Sequence, residues 1–166
     1  MSLFFGVRPG AGRHRCAYAS TDGVSGDDPL APLNKLVGSW TIEATHPALP
    51  TTVVGGKADF EWLEGERFLL QRSRTNHPDF PDSLTVFGEF EDGLAMHYFD
   101  ARGVYRVCGV SFGDGVRRMW RNAPGFSQRF TGSFSDDGET IDGLWKLSRD
   151  DTTWDDDLKI AFRRSA

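Results

Sequence analysis

The sequence predicts an all-β fold: a single antiparallel up-and-down barrel of about ten strands with a short N-terminal helical turn. Three observations predict it. Beyond residue 38, polar and apolar residues alternate with the period of two expected of half-buried strands. Turn-forming pairs recur roughly every 10–13 residues, the spacing of successive hairpins. No later segment has the length and periodicity of a crossover helix, so parallel pairing has no connection to use. Left open, such a sheet would expose two long edges. Closure removes both, so the first and last strands are expected to pair.

The elements follow in order. Asp28-Pro29 opens the segment DPLAPLNKLVG, which suits a helical turn closing at Gly38. Pro32 is expected to interrupt it and hold it to one or two turns. The strands are predicted over Ser39–His46, Thr51–Leu63, Arg67–Asn76, Ser83–Glu91, Leu94–Asp100, Val104–Phe112, Val116–Asn122, Phe126–Ser135, Thr140–Ser148 and Trp154–Arg163. Asp92-Gly93, Asp114-Gly115 and Asp137-Gly138 offer the positive-φ positions of tight hairpins. Glu64-Gly65-Glu66, Arg102-Gly103 and Pro124-Gly125 supply further reversals. Three strands show their faces: Leu158, Ile160 and Phe162 in the last, Ile141, Gly143, Trp145 and Leu147 in the ninth, and Phe126, Gln128, Phe130, Gly132 and Phe134 in the eighth. These faces read as interior.

Length and composition narrow the function classes. The 166 residues suit one domain, and 39% hydrophobic with 26% charged residues marks a folded chain rather than a disordered one. No apolar run is long enough for a membrane-spanning helix. The net charge is −5, and the only basic grouping is Arg117-Arg118 with Arg121, so nucleic acid is not an expected partner. Residues 1–27 read as a flexible leader and residues 28–166 as the barrel domain. Within the leader only Leu3-Phe4-Phe5 is apolar, too short for a signal peptide, and Asp22 and Asp27 do not suit a transit sequence. Cys16 and Cys108 cannot build a secreted disulfide framework and are expected to be free thiols, with a cytoplasmic location.

The segment Leu36-Val37-Gly38-Ser39-Trp40 carries a Gly-x-Trp motif at the head of the first strand. It resembles the signature of the calycins: lipocalins, fatty-acid-binding proteins and nitrobindin-like barrels. The runs EWLEGERFLLQRS, MHYFDARGV and FSQRFTGSF extend the similarity, over about residues 33–164, to a family of uncharacterised bacterial lipocalin-like proteins. The resemblance implies that Trp40 plugs a closed barrel end. It also implies a small, mostly apolar or amphipathic ligand in the interior, as fatty-acid-binding proteins hold a carboxylate on inward arginines.

The residues themselves point the same way. A ten-strand barrel is wider than side chains readily fill. Trp40, Phe60, Trp62, Trp120, Phe130 and Trp145 are candidate lining residues, although the same aromatics suit an ordinary core. Arg72, Arg106, Arg118 and Gln128 are candidate polar contacts, with an outward arginine ladder as the alternative for the arginines. His97 is the candidate to orient a polar group, or to act as acid or base if the barrel is an enzyme. Adjacent strand residues face opposite ways, so His97 or Tyr98 points inward, not both. Nitrobindin-like barrels carry haem iron on a histidine, which makes haem binding a further alternative. No nucleophile elbow, phosphate loop or dinucleotide fingerprint occurs, no zinc-type cluster is visible, and neither metal nor cofactor is expected. Asp155-Asp156-Asp157 reads as a solvated hairpin shoulder. Outward aromatics would allow a homodimer or another interaction surface.

Overall fold

A computed structural model describes residues 28–165; the leader assigned to residues 1–27, with Cys16, lies outside the described residues. A 3-10 turn (Ala31–Leu36) precedes ten strands: β1 Gly38–Thr45, β2 Val54–Trp62, β3 Phe68–Thr75, β4 Ser83–Phe90, β5 Gly93–Asp100, β6 Tyr105–Gly113, β7 Val116–Arg121, β8 Ser127–Phe134, β9 Thr140–Ser148 and β10 Asp155–Arg164. All ten expected strands are present, with ends that shift by up to three residues. Pro32 does not interrupt the 3-10 turn but sits in its first turn, where its missing N–H is not called for.

Each strand pairs antiparallel with its chain neighbour, and β1 closes the ring against β10. Ile42 faces Phe162 and Ala44 faces Ile160 across that seam. At Asp92-Gly93 and Asp137-Gly138 only the glycine takes a positive φ (103° and 73°), whereas the third Asp-Gly turn has it at both residues. Between Gly113 and Val116, which pair, Asp114 and Gly115 adopt φ values of 52° and 70°, the doubly positive geometry of a two-residue hairpin. A bulge between Asp156 and Leu158 shifts the β9–β10 register and breaks the alternation of the three aspartates.

One end of the ring is filled. Leu33 and Leu36 of the 3-10 turn are fully buried beside Trp40, Phe60, Leu69 and Ile141. The Trp40 indole N–H donates to the Leu36 carbonyl at 2.7 Å. Arg164, at the far end of the chain, stacks 4.3 Å from the Trp40 ring centroid and donates to the carbonyls of Val37 (2.8 Å) and Lys35 (3.1 Å). A single guanidinium thus joins the last strand, the first strand and the 3-10 turn. Replacing Trp40 with Ala should cost about 3–5 kcal/mol, read as a lower denaturant midpoint. A midpoint unchanged from the parent would show that the closed end does not depend on this side chain.

Candidate functional site

Above the filled end the inward side chains no longer meet, and a cavity of about 190 Å³ opens between Phe87, Phe130 and Phe162 and the loop residues Phe80 and Pro81. Its walls are mainly apolar: Ile42, Ala44, Val54, Met96, Met119 and Trp145 contribute from five strands. Gln71, Ser73, Thr75, Ser83 and Thr85 add a polar strip from β3 and β4. A second chamber, about 210 Å³, lies beside the first and shares Met96, Tyr98, Trp145 and Leu158 with it.

Phe130 shapes the main chamber. A Cβ at Gly132 or Gly143 would lie 2.6 or 2.5 Å from its ring, so these two paired inner-wall glycines leave the space the ring occupies. The exposed ring face then receives a charge. The Arg117 guanidinium lies 5.0 Å from the Phe130 centroid and 5.7 Å from that of Phe162. Arg117 is 2% exposed, and its Nε and Nη1 have no hydrogen-bond partner within the protein. Burial pushes its pKa down to about 10, which still leaves it charged at neutral pH. An uncompensated cation on an apolar cavity wall is costly, by several kcal/mol in typical interiors.

The side chamber is polar in a different way. Arg106 donates from Nη1 to the Gln128 side-chain carbonyl at 3.0 Å and lies 4.9 Å from the Phe126 ring centroid. Tyr98 donates its hydroxyl to Asp100 at 3.2 Å; burial, then the nearby Asp100 charge, raises its pKa. Asp157 accepts from His46 Nε2 at 3.1 Å, while His46 Nδ1 accepts from the Ala48 amide at 3.0 Å. Both imidazole nitrogens are therefore committed, which settles the tautomer and leaves His46 no free base. Cys108, a free thiol, has its pKa pushed up to about 11 by burial and stays protonated.

The sequence-predicted site residues separate into three groups. Phe130 and Trp145 line the main chamber, and Arg106, Gln128 and Trp145 the side chamber. Trp40, Phe60 and Trp62 point inward but belong to the filled end: Trp62 donates to the Asn34 side chain at 2.8 Å, and neither chamber reaches these three. Arg72, His97, Arg118 and Trp120 lie on the outer wall, which corrects their assignment to the interior. Arg72 approaches Glu61 at 3.5 Å. His97 bonds the Tyr105 hydroxyl at 3.0 Å and packs 4.3 Å from the Phe90 ring, while Tyr98 takes the inward place. Trp120 covers Gly109, whose missing side chain leaves the ring a seat 2.5 Å from where a Cβ would be. Arg118 shares that outer parity, so the inward arginine of the pair is Arg117, which the sequence reading missed.

No model of a protein family matches the chain, and no curated protein matches it significantly. Solved structures do. The M. tuberculosis protein Rv2717c superposes with a TM-score of 0.60 at 14% identity, over 83% of this chain and 98% of that one. Fatty-acid-binding protein 1 of Echinococcus granulosus gives a TM-score of 0.56 at 11% identity, over 80% and 99%. The fold is a calycin-like barrel. At these identities the likeness extends to architecture alone. No histidine lines either chamber of this calycin-like barrel among the described residues, so the donor set does not fit a histidine-ligated haem. His97, on the outside, cannot serve as acid or base for an interior ligand. No group of three or more metal-ligating side chains occurs among the described residues, and no helix there is long and apolar enough to cross a membrane.

At the rim between β5 and β6, Asp100 accepts from Arg102 Nη2 at 2.8 Å and from the amides of Arg102 and Val104. Arg102 first, then these amides, hold its carboxyl down at about 2. A depressed folded pKa means that the stabilisation is complete above the ordinary carboxyl value of about 3.9 and is lost as pH falls from there toward 2. Asp100→Asn should flatten the acid limb of a stability–pH curve below about pH 4. An acid limb identical to the parent's would show that Asp100 does not carry it.

Proposed function

We propose that this protein binds a small amphipathic organic anion inside the barrel, apolar body in the main chamber and anionic group against Arg117. One observation carries the reading: the Arg117 guanidinium, charged at neutral pH, is buried in the cavity wall, and its Nε and Nη1 have no hydrogen-bond partner. A carboxylate or similar anion in the cavity supplies the missing counter-charge, and the missing acceptors once the guanidinium turns toward it. The apolar walls and the modest volume favour a small molecule over a macromolecule. The mild net negative charge gives nucleic acid no basic surface to follow, and the free, buried Cys108 fits a reducing, cytoplasmic setting.

Arg117→Met separates this role from a structural one. Filling the site with an apolar side chain of similar length should raise stability by on the order of 1–4 kcal/mol. The same change should weaken binding of a fluorescent fatty-acid analogue at least about tenfold, while the methyl ester of that probe binds parent and variant alike. A variant that is less stable and binds the acid as well as the parent would reject the proposal.

A further inference from the structure

We infer that the ligand carries a second, uncharged polar group of the hydroxyl class, remote from its charge, and that the side chamber is where this group docks. The inference rests on the reading of Arg117 as the anchor for the anion. The two chambers adjoin, with Met96, Tyr98, Trp145 and Leu158 standing in the walls of both. A molecule seated on Arg117 that extends past these residues enters a polar space.

The chemistry of that space selects the group. Arg106 supplies N–H donors, of which one is taken by Gln128. The Gln128 amide offers two more, and Gln128 is only 6% exposed. Tyr98 spends its proton on Asp100 and keeps lone pairs to accept with. Asp157 contributes a carboxylate with one oxygen held by His46. Donors and acceptors therefore stand together, with one cation opposed by one anion. A second carboxylate would meet Arg106 but also face Asp157, a like charge. A purely apolar tail would leave the donors desolvated and unpaired. A hydroxyl can accept from Arg106 or Gln128 and donate to Tyr98 or Asp157, which satisfies both kinds at once.

The register gives the separation. Arg117 pairs with Phe112 across β6–β7, and Arg106 lies six residues from Phe112 on the same strand. That is about 20 Å along the strand, less the reach of two long side chains. The second group thus sits well away from the anion, toward the end of an extended body rather than beside the charge.

The test is calorimetric titration of the full chain with linear saturated acids of increasing length, each with and without a terminal hydroxyl. At one length the hydroxy acid should bind about fivefold tighter than its parent acid. Arg106→Met, and independently Gln128→Leu, should abolish that gain, with the parent acid bound no more weakly than before because its apolar tail no longer desolvates unpaired donors. Arg117→Met should weaken both acids by the same factor. The proposal is overturned if no length shows a gain, if the gain survives both substitutions in the side chamber, or if the matching diacid binds tighter than the hydroxy acid. Parent acids that bind without any hydroxyl gain strike the second anchor alone, whereas failure of every acid to bind strikes the anion reading itself.

Discussion

The seam between β1 and β10 is the constraint on which the interior depends. Strand pairing alone could close a ring and leave it free to slide, since ladder hydrogen bonds are indifferent to which residues they join. Here Arg164 stacks on Trp40 and reaches the carbonyls of Val37 and Lys35, while Trp40 itself holds Leu36. Those contacts tie the last strand, the first strand and the 3-10 turn to one register. A slip of one residue between these strands would put Trp40 and Phe162 on opposite faces, sending one of them outside and opening the interior to water. With the register held, one end is solid and the space is left at the other.

Within that frame the cavity is built from an absence. Gly132 and Gly143 pair on the inner wall, and their missing side chains let the Phe130 ring lie back against the sheet. The ring then presents a face to the Arg117 guanidinium, with Phe162 on a second side. Two aromatic faces soften the burial of a charge but supply no hydrogen-bond acceptor. A fold selected for stability alone would place an apolar side chain here, so the arrangement gives up stability at a position where an anion would recover it.

The strand order, the ends of nearly every strand and the closure were legible because their signals are local. Alternation marks a strand, and Asp-Gly or Gly-Glu pairs mark its reversal. Inner faces were legible too where one parity was plainly apolar, as in Leu158, Ile160 and Phe162. The reading failed in strands without that contrast. In β7 the run Arg117-Arg118-Met119-Trp120 places one arginine and one large apolar residue on each face, and the bulkier Trp120 suggested the wrong interior. In β5, Met96-His97-Tyr98-Phe99 is amphipathic whichever way it turns. Gly109, which seats the Trp120 ring on the outer wall, was the one sequence clue to β7, and it lies on a different strand.

Sequence by itself determined that this chain forms an antiparallel all-β ring with aromatic inner faces, because periodicity and turn chemistry act between residues close in the chain. Only the tertiary structure decided depth and charge. Trp40, Phe60 and Trp62 point inward as Phe130 and Trp145 do, yet the first three lie at the filled end and the last two on the cavity wall. That difference comes from the stagger of ten strands around the ring, which no single strand encodes. Likewise, Arg117 became the buried charge because pairing with β6 and β8 set its parity, and parity in an ambiguous strand belongs to its neighbours.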